Sequence, residues 1–74
     1  MNKQRRKEIS MQIKNLENLK ENLEIILSDE ECYFDNIPEN LQSSIRGEES
    51  ESAIDILSEA IDSLDEIINS LQEI

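Results

Sequence analysis

The chain has 74 residues, no histidine, one cysteine, and 18 acidic against 7 basic residues, for a net charge of −11. A lone Cys32 forbids an intrachain disulfide, and the lack of histidine removes the commonest metal ligand and the usual general base. So negative a chain is not expected to bind nucleic-acid phosphates or anionic lipid directly, and with no apolar run longer than Ile25-Ile26-Leu27 neither a transmembrane span nor a secretion signal is expected.

The cytoplasm is the expected compartment, and the single thiol fits a reducing one. One small domain fits this length. Chains this short bury a modest core and are commonly supported by metal, disulfides or association, and association is the support left here. The charge is unevenly spread. Residues 1–20 carry six bases and two acids, residues 21–47 seven acids and Arg46, and residues 48–74 nine acids and no base. The chain therefore has a basic head and an acidic tail.

The first predicted helix runs from about residue 3 to about residue 35, a stretch without Gly or Pro. Ile9, Ile13, Leu16, Leu19, Leu23, Ile26 and Leu27 recur at spacings of three and four, the mark of one helix face. With Leu16 and Leu23 at heptad position a, the stripe covers a, d and e. Tyr33 and Phe34 continue it at d and e and are expected to point inward. Met11 and Ile25 lie off the stripe, as exposed apolar residues or as a second, partner-facing patch.

Asn36-Ile37-Pro38 ends that helix, because proline lacks an amide proton and disfavours helical backbone before it. The connector is expected over 36–47. It should hold a short helical turn opened by Pro38, with Glu39 in its first turn, Leu41 and Ile45 covering the end of the core, and Gly47, the one glycine, closing it. Glu48, Glu49 and Glu51 then load the start of the last helix with the favourable sign of charge.

The second helix, about 48–73, holds the clearest pattern in the chain. Written in sevens it reads AIDILSE, AIDSLDE, IINSLQE. Ile54, Ile61 and Ile68 occupy a, and Leu57, Leu64 and Leu71 occupy d. Ala53, Ala60, Ile67 and Ile74 occupy g. A 3,4 apolar repeat is the signature of a helix seam, which alternating strands cannot reproduce. Two helices with a structured connector give an all-α antiparallel hairpin, with Lys3, Arg5, Arg6 and Lys7 facing Glu66, Glu73 and the terminal carboxylate. Stripes of this width exceed what one hairpin covers. Two hairpins are therefore expected to pair as a homodimeric four-helix bundle, with Ile9, Ile13, Leu16, Leu19, Leu23, Ile26, Leu27, Ile54, Leu57, Ile61, Leu64, Ile67, Ile68 and Leu71 at the oligomer interface; a trimer or a hairpin docked on another protein would satisfy the same stripes.

Chemistry is sparse. All-α nucleotide pyrophosphatases hold Mg²⁺ with Glu-x-x-Glu and Glu-x-x-Asp on facing helices, and Glu21-x-x-Glu24 and Glu59-x-x-Asp62 match that spacing. They fall at f and b, however, away from the seam, where bundle metal ligands must not be. Asp29, Glu30, Glu31 and Asp35 lack the spacing and glycine of a Ca²⁺ loop. Cys32 has acidic neighbours, which disfavour a reactive thiolate. No enzyme activity, cofactor or metal is expected. The acidic face of the last helix is the feature with functional content. Asp55, Glu59, Asp62 and Glu66 run along b and f, flanked by Asp65 and Glu73, with no base in that helix. It reads either as a solvated face or as a rigid set of carboxylates that docks on a basic partner or imitates DNA.

The connector NIPENLQSSIRGE (Asn36 to Glu48), the AID…L…E repeat after it and the opening KQRRKEI resemble small acidic proteins encoded in bacteriophages and prophages. The resemblance covers nearly the whole chain. It implies a phage source and the host cytoplasm, and it supplies no catalytic residues. It further implies a protein that binds and blocks a host protein, defence systems included; a structural or assembly subunit, whose partner is itself or a virion component, is a separate reading.

Overall fold

The computed structural model describes residues 1–74 as two long helices and a short connector, with no strand. Helix α1 (Lys3–Asp35) begins at Asn2, whose side-chain oxygen accepts the Arg5 backbone N–H at 2.8 Å. That satisfies one of the donors a helix start leaves open. Glu31 and Asp35 lie at its C-terminal end, where no basic residue answers them, the unfavourable sign for the helix dipole. The chain leaves the helix where Pro38 requires it to. The N–H groups of Asn36 and Ile37 close onto the carbonyls of Cys32 and Phe34 at 3.1 and 3.0 Å. A 3-10 turn, Glu39–Leu41, follows, and the Gln42 side-chain amide donates to the Ile37 carbonyl at 3.3 Å.

Helix α2 (Ile45–Gln72) starts three residues before the expected position, which is a correction to the sequence reading. Ser44 marks the boundary, and its hydroxyl accepts the Gly47 N–H at 3.4 Å. Gly47 lies inside the helix and is buried. A Cβ there would stand 1.9 Å from the Gln42 carbonyl oxygen, so this glycine permits a close approach of connector to helix and does not end the connector. Glu48 alone is then the acid of the first turn, with Glu49 and Glu51 one turn on.

The helices pack antiparallel. Lys20 meets Asp65 and Glu30 meets Ser50, so partners descend on α2 as they ascend on α1. The seam is one layer thick. Ile61 and Ile68 are buried, with Ile54, Leu57, Leu64 and Leu71 half-buried beside them. From α1 come Ile9, Ile13, Leu16, Leu23, Leu27 and Phe34, all half-buried. In heptad terms α1 packs through a and e, and α2 through a and d. The result is a rod of 58 × 15 × 13 Å with a radius of gyration of 17.1 Å. A compact domain of this length would have about 11 Å.

Three expectations are corrected here. Leu41 and Ile45 stay exposed, Ile45 at 76%, because the early start of α2 turns Ile45 outward; Phe34 and Ile37 are the half-buried apolar residues at the connector end. Only Phe34 of the two aromatics turns inward, since d of α1 lies at the edge of the seam and leaves Tyr33 exposed. The basic head makes no ion pair with Glu66, Glu73 or the terminal carboxylate: Lys20–Asp65 is the one salt bridge in the chain.

Candidate functional site

The acidic face is built by the register of α2. Because a and d turn toward α1, positions b and f turn away, and Asp55, Glu59, Asp62 and Glu66 are all exposed. At 1.5 Å per residue they span about 16 Å along one side of the helix. Glu73 is the C-cap residue and also exposed. Asp65 differs from the others. It sits at e beside the seam and accepts the Lys20 ammonium at 2.5 Å, so it is engaged within the chain. The hydrogen bond from Asp65 raises the Lys20 pKa above its ordinary value; partial burial opposes this, and the charges of Asp65, Glu24 and Glu17 add to it.

The two carboxylate pairs at Glu21/Glu24 and Glu59/Asp62 lie at similar heights along the rod, all four exposed. No three carboxylate or thiol groups of the chain converge on a point where a metal ion could sit. Cys32 is exposed. No helix is long and apolar enough to cross a membrane.

Of the residues expected at an oligomer interface, the structure places most in the hairpin's own seam. It leaves Leu19, Ile26 and Ile67 outside at 47%, 51% and 47% exposure. Met11 and Ile25 are exposed on the far side of α1. Ile56 at 64% exposure, overlooked in the sequence because it lies at c between seam residues, is the matching outlier on α2.

Charge divides the rod along its length. Cut at the height of Lys20, the half holding both termini (residues 1–20 and 63–74) carries six bases and five acids, a net of +1. The connector half (residues 21–62) carries thirteen acids and Arg46, a net of −12. Comparison with protein-family models, curated proteins and solved structures finds no match for this chain.

Proposed function

We propose that this chain is a non-enzymatic, phage-type binding protein that engages, and thereby inhibits, a host protein through a rigid acidic helical surface in the host cytoplasm. One observation carries the reading: Asp55, Glu59, Asp62 and Glu66 stand exposed on a continuous 28-residue helix with no cation from α1 paired to them. A helix fixes their spacing before contact, so a basic partner surface can be met without ordering a loop. The resemblance of the connector and the head to small phage proteins supports a host protein, defence systems included, as the partner class.

The test is affinity purification from a bacterial host with the wild type and with a Glu59→Lys, Asp62→Lys, Glu66→Lys variant. The expected result is a salt-sensitive protein partner retained by the wild type and lost by the variant, with helicity by circular dichroism unchanged. Equal capture by both rejects the acidic surface.

A second reading is a DNA mimic, favoured by charge density. Twelve net charges over half of a 58 Å rod is one per about 2.4 Å, between the 1.7 Å of duplex DNA and the 3.4 Å of one strand. It predicts that duplex DNA displaces the captured partner. Capture that DNA does not disturb rejects the mimic and leaves the first reading.

A further inference from the structure

The hairpin leaves one of its two broad faces apolar. Leu19, Ile26 and Tyr33 fall at d of α1, and Ala60 and Ile67 at g of α2; all five are exposed. In an antiparallel pair these two edges lie on the same side of the seam. At the connector end of that face Tyr33 and Ala53 line a groove with Glu30, Arg46, Glu49 and Ser50, and at the terminal end Met1, Ile9 and Leu71 line another with Arg5, Glu8 and Gln12, so the apolar strip is flanked by charge at both ends. The Lys20–Asp65 bridge, with both residues at e, spans the opposite side.

The geometry points to this face as the docking surface for a second copy of the chain, laid across it by a two-fold axis perpendicular to the helices, with the two connectors at opposite ends. The area argues for a partner. The chain exposes 5837 Å². A compact monomer of 8.6 kDa exposes about 4,700 Å². The excess of about 1,100 Å² comes from the rod shape, whose 58 × 15 Å side, about 870 Å², is on the scale of the roughly 800 Å² that each member of a standard interface contributes. The apolar strip is short and centred near Ile26 and Ala60. A two-fold there sets Leu19 against the region of the other copy's Tyr33 and closes without leaving a repeat of the patch exposed.

Charge decides the direction. Two face-to-face hairpins can share a two-fold in two ways. With connectors at the same end, one half of the bundle holds both −12 segments, a net of −24. With connectors at opposite ends, every half joins a −12 segment to a +1 segment, a net of −11. Like charge packed at close range costs association, so the second arrangement is selected. It also brings each basic head toward the acidic connector half of the other copy. Asp55, Glu59, Asp62 and Glu66 remain on the outside, so the dimer stands or falls independently of the acidic-surface reading.

Light scattering at micromolar concentration should give about 17 kDa, twice the chain mass of 8.6 kDa. The melting temperature should rise with protein concentration, as for any dimer whose folding and association are linked. Ile26→Asp should give the mass of one chain, and Ile67→Lys the same from the other helix, whereas Ile25→Asp on the far side should leave the dimer intact. Spin labels at Ser43→Cys in a Cys32→Ser background should lie about 45–50 Å apart, from the rise of the helices on either side of the axis. A monomer mass with a concentration-independent melt overturns the dimer. A dimer that survives both Ile26→Asp and Ile67→Lys overturns the face. A label distance below about 25 Å, as for neighbouring connectors, overturns the orientation.

Discussion

The Ser50 hydroxyl donates to a carboxylate oxygen of Glu30 at 2.6 Å across the seam, where Ser50 is only 4% exposed. Glu30 holds position a of α1, a place that Ile9, Leu16 and Leu23 fill with hydrocarbon. The acid is tolerated there because a small hydroxylated residue faces it. A hydrogen bond to a charged group contributes about 1.5–3 kcal/mol, less where water reaches one partner. Ser50→Ala should therefore destabilise the chain by about 1–2 kcal/mol, a fall of roughly 4–15 °C for a domain of this size, read by thermal circular dichroism.

Gly47→Ala sets two effects against each other. Alanine is the better helix former by about 1 kcal/mol. The added Cβ, however, would stand 1.9 Å from the backbone oxygen of Gln42, which is not the movable end of a side chain. Overpacking of this kind costs about 1–3 kcal/mol, so the net effect should be a lower melting temperature. A higher one would show that the connector slides off α2 without loss.

The Lys20–Asp65 pair should leave an alkaline signature. The Lys20 pKa is raised in the fold, above an ordinary value of 10.5, first by its hydrogen bond to Asp65. Its contribution is thus fully present below 10.5 and lost as pH rises through the raised value. The difference in melting temperature between the wild type and Lys20→Gln should hold steady from neutral pH to pH ~10 and shrink above the ordinary lysine value. With Asp65 half open to water the difference should be small at every pH.

Added salt should stabilise the protein. One ion pair is screened by salt, but so is the repulsion among thirteen acids in the connector half, and the repulsive contacts are far more numerous. The melting temperature should rise between low and ~0.5 M NaCl, where the Debye length falls to a few ångströms. A fall would mean that pairs other than Lys20–Asp65 dominate in solution.

The helices and their antiparallel pairing were legible in the sequence because apolar spacing and a single proline carry them. Ile54, Ile61 and Ile68 point inward for the same reason that they recur every seventh residue. The start of α2 is obscured by Gly47, which suggests a break, whereas counting back from Ile54 puts Gly47 at a and Ser50 at d, inside the same repeat. Glu30 is hidden differently: a charged residue at a seam position reads as the end of the pattern until its partner is seen. Periodicity also shows how wide a stripe is, but not which margin turns toward the chain's own second helix. That is why Leu19 and Leu23, alike in sequence, end up on different sides of the seam's edge. The acidic face followed from the register alone, except for Asp65, whose engagement with Lys20 depends on how far the two helices are staggered.

The length of the hairpin bears on how its size should be measured. A radius of gyration of 17.1 Å is what a globule of about 220 residues would have, roughly three times this chain's length. A sizing column calibrated with spherical standards would therefore overstate the mass of a single elongated molecule, which would elute ahead of a globule of its own mass. Its rotational diffusion, slow end over end and fast about the long axis, would give amide relaxation rates that vary with bond direction, so N–H vectors along the two helices would share one rate unlike that of the connector.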